Sequence, residues 1–153
     1  MDKKDLQILS ILQKNGATPL AELAQAANLS STPCWRRVQK LQADGVIRKQ
    51  VALCDPVKLN VAVTVFVSLR ASQHSDAWMK RFVLATRDIP EIVEIYRMSG
   101  DVDYLLKVVV PDIAGYDAVY KRLIKAIDLQ DVSSSFAMEV LKSTTALPLD
   151  YAD

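Results

Sequence analysis

Apolar residues recur at helical spacing over the first forty positions and switch to strand spacing further on. Leu6, Leu9 and Leu12, with Ile8 and Ile11 beside them, predict a first helix that Asp2 caps and Asn15-Gly16 ends. Thr18-Pro19 opens a second helix, in which Leu20, Leu23, Ala24 and Ala27 share a face. Asn28-Leu29 makes a tight connection to a third helix within Ser30–Leu41. There Thr32 is the expected N-cap and Pro33 the first helical residue, where its missing N–H costs nothing. At about 100° per residue, Cys34, Val38 and Leu41 fall on one side, with Arg36, Gln39 and Lys40 opposite. Asp44-Gly45 stops this helix, and Val46–Lys49 and Gln50–Leu53 read as two short extended segments, a small wing or a departing strand.

Asp55-Pro56 breaks the pattern, and Lys58-Leu59-Asn60 reads as a linker. Val61–Leu69 is β-branched and predicts a buried strand. Ser75–Thr86 carries Trp78, Phe82 and Val83 at helical spacing; Ile92–Met98 and Val102–Val110 read as strands. Pro111-Asp112 introduces a helix that turns Ile113, Tyr116, Val119, Tyr120, Leu123, Ile124 and Ile127 inward, and Val132–Leu141 is the expected last strand. The order strand, helix, strand, strand, helix, strand is the split βαβ arrangement, a four-stranded antiparallel sheet with both helices on one face. Apolar residues on both parities of its first strand predict that a second copy of the chain covers the other face. The fold class is therefore α+β: an N-terminal winged helix-turn-helix followed by a C-terminal ferredoxin-like sheet domain. The expected division is 1–45 for the helical domain, 46–60 for a strand-containing linker and 61–153 for the sheet domain.

The net charge of +1 does not by itself indicate a nucleic-acid partner, but its distribution does more. Residues 1–55 hold eight basic side chains against five acidic ones, and between Ser30 and Lys49 five basic residues face the single acid Asp44. Such a cluster on a nearly neutral chain creates a local field for phosphate. No apolar run approaches the roughly 20 residues that span a bilayer, and Met1–Asp5 does not lead into a signal-peptide core, so a cytoplasmic protein is expected. Cys34 and Cys54 fit neither a metal-ligand spacing nor a disulfide framework. The lone His74, the lack of a glycine-rich phosphate loop and the lack of any Ser–His–Asp arrangement argue against catalysis. Neither a metal nor a cofactor is expected.

Three short helices, the last presenting cationic and amide side chains, match the way a helix-turn-helix offers its reading helix to double-stranded DNA. Ser31, Thr32, Arg36, Arg37 and Lys40 are the candidate DNA contacts. The hydroxyls at the helix start suit phosphate. Arg36 and Lys40 reach base edges or phosphates, and Arg37, on the flank, suits a phosphate or an intramolecular partner. Trp35 is expected to pack against a neighbouring element, with stacking on DNA as the alternative, and Cys34 to be a small buried apolar residue.

The segment Leu29-Ser30-x-Thr32-Pro33-Cys34-x-x-Arg37-Val38-x-x-Leu41, followed by Asp44-Gly45-Val46-Ile47, resembles the Lrp/AsnC (feast/famine) family of bacterial and archaeal transcription regulators. So does Ser99-Gly100-Asp101-Val102-Asp103-Tyr104-Leu105-Leu106-Lys107 with Pro111-Asp112 after it, and Ser134–Glu139 is similar to the family's last strand. Where many members have a Pro-Gly turn, this chain has Asp128-Leu129-Gln130-Asp131. The resemblance implies a homodimer that assembles to a tetramer, octamer or ring, with an amino-acid effector held between dimers near Gly100–Leu105. On residues alone Gly100 marks a hairpin turn with acids facing water. The resemblance turns it into a site where the N–H groups of Gly100, Val102 and Tyr104 take a carboxylate and Asp101 or Asp103 takes an ammonium. Ser134 or Ser135 of another copy would supplement it. Met98, Tyr96 and Met138 are apolar candidates for its lining, which favours leucine or methionine. Effector binding would then alter assembly and, through it, DNA affinity. The competing reading is a metabolite-binding oligomeric module that acts through protein partners without touching DNA.

Overall fold

The computed structural model describes residues 1–152. Its contacts divide the chain into two units: Met1–Leu53 together with the chain from Lys142 onward, and Cys54–Leu141.

In the first unit, α1 spans Lys3–Leu12, α2 Leu20–Ala26 and α3 Ser31–Ala43. The start of α1 is a reciprocal cap. The Asp2 carboxylate accepts from the N–H groups of Lys4 and Asp5, and the Asp5 carboxylate accepts from the Asp2 N–H. Asn28, at φ +52°, ends α2 in the left-handed region. Its N–H bonds the Gln25 carbonyl and the Leu29 N–H bonds the Ala24 carbonyl, the paired pattern that lets a second helix start at once. Ile8, Leu9, Leu23, Ala24, Ala27, Cys34 and Leu41 form the buried centre. The α3 start lies earlier than the sequence predicts. Ser30 occupies the N-cap with extended backbone and no side-chain cap bond, so Thr32 is inside the helix and does not cap it. Pro33 still costs no hydrogen bond, because a helix leaves its first four N–H groups without internal acceptors.

Two further expectations for this unit change. Val46–Leu53 forms no strand among the described residues; the chain leaves Gly45 (φ +74°), returns the Ile47 N–H to the Leu41 carbonyl and meets no ladder partner. The end of the chain does not stay with the sheet domain. The Gln13 side-chain amide takes both polar groups of Leu147, donating to its carbonyl at 3.1 Å and accepting its N–H at 2.7 Å. Leu149 then packs against the helical core. An amide side chain satisfies a peptide group in the way a neighbouring strand would, which periodicity cannot foresee.

The second unit contains β1 (Val63–Ala71), α4 (Asp76–Arg87), β2 (Ile92–Arg97), β3 (Tyr104–Val110), α5 (Ile113–Ala126) and β4 (Leu129–Phe136). The sheet order is β2-β3-β1-β4, antiparallel throughout, as a split βαβ unit requires. Val65, Val67, Leu69 and Ala71 of β1 join Tyr104, Leu106, Val108 and Val110 of β3 beneath Trp78, Phe82, Tyr116, Val119 and Leu123 of the helices. Ile113 and Ile124 are exposed where inward positions are expected, because the sheet-facing stripe of α5 centres on Tyr116, Val119 and Leu123 and leaves both on its flank. The opposite face carries Phe66 and Ser68 of β1 with Leu105 and Lys107 of β3. The last strand is earlier than the sequence predicts. Asp128 needs no turn chemistry, because its carbonyl is held by the Trp78 indole N–H at 2.9 Å and β4 begins at the next residue. It ends at Phe136, which pairs with Val65; β1 extends only two residues further back to offer a ladder. Met138 beyond it is 95% exposed.

Candidate DNA-binding face and effector loop

The DNA-facing candidates lie on α3, whose buried stripe is Cys34 and Leu41 with Val38 half-buried. Ser31, Thr32, Arg36 and Lys40 are exposed, as the helical spacing predicts. Arg37 is not available in the same way. Its guanidinium bonds the Asp2 carboxylate at 2.6 Å and the Asp5 carboxylate at 2.8 Å, joining α3 to the start of α1. Those two carboxylates push the Arg37 pKa up, Asp5 first and Asp2 second. The Asp2 carboxyl is lowered, chiefly by the Asp5 backbone N–H and then by Arg37. Of the two roles expected for Arg37, the structure shows the intramolecular one. Burial raises the Cys34 pKa, which keeps it a neutral thiol inside the core.

Trp35 departs from the sequence reading. It is 51% exposed and has no aromatic or polar partner among the described residues, where packing was expected. Its exposure removes the packing reading and leaves the alternative, a contact outside the chain, one step from Arg36.

The candidate effector loop joins β2 to β3. The Met98 N–H donates to the Asp103 carbonyl at 2.8 Å, which closes the loop at its base. Gly100 has φ +134°, outside the range of ordinary L side chains. The end of β1 ties the loop down. The Asp103 N–H donates to the Leu69 carbonyl at 2.9 Å, the Ala71 N–H to the Asp103 carboxylate at 2.8 Å, and Arg70 Nε to the Asp101 carbonyl at 2.6 Å. His74 Nε2 lies 3.9 Å from the other Asp103 oxygen. Asp103 is thus occupied within the chain, whereas the Asp101 carboxylate has no partner among the described residues and stands exposed. Sequence reasoning missed Arg70 and Ala71, since their relation to the loop exists only once β1 and β3 are paired.

The other loop candidates separate. Met98 is exposed and Val102 half-buried beside Gly100. The Tyr104 ring turns into the core, stacked with Trp78 at 5.6 Å and against Phe82 at 4.6 Å, with its hydroxyl 3.4 Å from Met79 Sδ. Only its backbone remains a candidate. Ser134 and Ser135 sit on β4 opposite Val67 and Phe66, and β1 lies between β4 and the strand that carries the loop. The Ser134 hydroxyl is hydrogen-bonded to Tyr116 on the helix side. One chain therefore does not bring either serine to Gly100. A separate groove of about 560 Å³ between α4 and β2 is lined by Met79, Phe82, Val83, Ile92 and Ile95 and reaches Arg97 and Tyr104. On the sheet face without helices, Glu94 bonds Tyr96 and meets Lys107 at 3.0 Å, and both hold its carboxyl below the usual range, Tyr96 the more.

Among the described residues no three or more His, Cys, Asp or Glu side chains are placed to hold a metal, and no helix is long and apolar enough to cross a membrane.

Residues 1–48 match a winged helix-turn-helix DNA-binding model, and residues 64–147 match the Lrp/AsnC ligand binding domain. A crystal structure of an AsnC family transcriptional regulator from Agrobacterium tumefaciens is 61% identical, with a TM-score of 0.96 over 99% of each chain. The DNA-binding transcriptional activator DecR of Escherichia coli (strain K12) is 44% identical over 151 residues, 98% of this chain and 99% of DecR. A transcriptional regulator from Neisseria meningitidis, solved as an L-Met complex, is 32% identical, with a TM-score of 0.93 over 98% of this chain and 97% of that one.

Proposed function

The chain belongs to the Lrp/AsnC family of DNA-binding transcriptional regulators, and from that premise we propose that α3 reads DNA while the Gly100 loop receives an apolar amino acid, leucine or methionine. The observation that carries the reading is the division of labour along α3. Arg37 is committed to Asp2 and Asp5, which leaves Arg36 and Lys40 free on an exposed face with the hydroxyls of Ser31 and Thr32 at the helix start. A helix start favours phosphate, and a cation two turns on extends the contact along the backbone.

For the effector, Asp101 is the better ammonium partner, since Asp103 already accepts from Ala71. The positive φ of Gly100 opens the loop backbone to a carboxylate, with the N–H groups of Gly100, Val102 and Tyr104 as donors. Met98, 40% exposed beside the loop, favours an apolar side chain, as does the L-Met bound by the 32% identical relative. A second copy covers the sheet face that bears Phe66 and Tyr96, 40% and 51% exposed, and dimers meet near the loops to form a tetramer or octamer. Ser134 and Ser135, kept from the loop of their own chain by β1, contribute from such a neighbouring copy. The effector then acts by linkage: whatever favours one assembly favours the DNA spacing that assembly presents.

Gel-shift titration across a salt series, with and without each of the twenty amino acids, tests both halves. A steep fall of affinity with salt and a change of affinity or oligomeric mass with leucine or methionine are expected. A salt slope near zero would support a module acting through protein partners instead. A response confined to polar amino acids would overturn the effector class.

A further inference from the structure

α3 carries no acidic residue, and its exposed face holds one large apolar side chain, Trp35. Residues three and four apart on a helix are surface neighbours. Trp35 is therefore flanked by Ser31 and Thr32 one turn before it and by Gln39 one turn after, with Arg36 adjacent, all exposed. Gln39 is turned along the helix, donating to the Gln42 side chain at 3.1 Å, so the amide does not cover the indole. Leaving so large an apolar surface in water gains nothing for folding, and the buried stripe of α3 is complete without it.

Resting on the DNA reading of α3, we propose that Trp35 is a specificity-determining residue that reads bases in the major groove. Its indole face covers a thymine methyl while the neighbouring cations hold the phosphates. The two kinds of contact leave different signatures. Arg36 and Lys40 release counterions and so set the salt dependence; an uncharged indole cannot. A thymine exposes its methyl only in the major groove, where an apolar side chain tells it from cytosine. Trp35 thus supplies sequence discrimination with no electrostatic cost, on a helix otherwise equipped for sequence-independent attraction.

The test begins with duplexes selected by the full-length protein from a random-sequence pool, each paired with a shuffled control. Trp35→Ala is expected to weaken the selected duplex by at least roughly tenfold, to leave the shuffled duplex unchanged and to keep the salt slope of the parent. Replacing thymine by uracil at the contacted position removes one methyl. It should cost the parent about fourfold and Trp35→Ala nothing. Trp35→Phe, which keeps an apolar ring, should retain part of the preference. Because the side chain is exposed, unfolding temperatures of the variants should match the parent. Equal loss on both duplexes, a uracil effect that persists in Trp35→Ala, or an altered oligomeric mass in Trp35→Ala would overturn the assignment, the last by placing Trp35 in a protein contact. A parent protein that selects no sequence at all would instead overturn the DNA reading.

Discussion

Arg37 of α3 closes a charged contact with Asp2, the N-cap of α1, at 2.6 Å, and the same guanidinium holds Asp5. One cation thus supports both halves of the reciprocal cap that starts α1. The contact fixes the roll of α3 about its axis, because Arg37 and the buried Cys34 and Leu41 are all anchored on the side away from Arg36 and Lys40. Of the two adjacent arginines, Arg37 is tied within the chain and Arg36 stays exposed.

Arg37→Ala should therefore lower the unfolding temperature of the helical unit slightly while leaving the salt slope of DNA binding unchanged. The pair is partly exposed, so the loss is small and shrinks in salt. Arg36→Ala with Lys40→Ala should do the reverse. If each contacts one phosphate, the slope of log affinity against log salt falls by about two units, with little change in stability. A slope change in Arg37→Ala as large as in the double variant would show that Arg37 leaves Asp2 when DNA binds.

The cap also predicts an acid-labile element. The Asp2 pKa is depressed in the folded chain, so its contribution is present at neutral pH and is lost as pH falls below the ordinary value of 3.8 and through the folded one. Arg37, with its pKa raised, stays charged throughout this range and contributes no titration of its own. Thermal unfolding of the parent and of Asp2→Ala should differ most near neutrality and converge in strong acid. A gap that stayed constant with pH would assign the cap energy to geometry alone.

The returning tail gives a third prediction. Leu149 is half-buried against the core of the helical unit, and Gln13 satisfies Leu147. Leu149→Ala should destabilise the helical unit by about 1–2 kcal/mol, below the range for a fully buried leucine. Truncation before Lys142 should cost more, since it also strands the Gln13 amide. Denaturant titration followed at Trp35, in a Trp78→Phe background, reads this unit separately. Unchanged midpoints in both variants would mean that the tail rests on the surface without stabilising it.

How much of this was legible depends on the distance over which each residue is decided. The helices of the first unit follow from Asp2, Asn28 and the Leu/Ile spacing, all local signals, and α1 to α3 lie close to where the pattern put them. The split βαβ order followed from the β-branched run Val61–Leu69 and the apolar run Val102–Val110 together with the intervening helical stripes. What escaped were contacts between segments far apart. The Gln13 side chain reaches residue 147, Arg37 reaches Asp2, and Arg70 and Ala71 reach the Gly100 loop. Tyr104 escaped for a related reason: its strand parity decides whether the ring enters the core or the loop, and the loop motif alone does not fix that parity. Trp35 was misread because size and apolarity favour burial on average, while its position on α3 opposes it.

Gly100 and Gly45 separate two meanings of a positive φ. Gly45 follows α3 at +74°, within the left-handed region that asparagine also adopts, as Asn28 does at +52° after α2. Gly45→Asn should therefore cost only a few tenths of a kcal/mol. Gly100 stands at +134°, beyond that region, although a Cβ there would meet nothing within 4 Å. Its substitution is resisted by backbone strain and not by crowding, so Gly100→Asn should cost about 1–3 kcal/mol or flip the loop. A flipped loop would break the Met98–Asp103 closure and displace Asp101 from the proposed ammonium position. Thermal unfolding, DNA affinity and the shift of that affinity by methionine or leucine should be measured in both variants. Gly45→Asn is expected to keep all three, and Gly100→Asn to keep DNA affinity while losing the effector shift. Loss of DNA affinity with the effector shift intact in Gly100→Asn would remove the loop from effector binding.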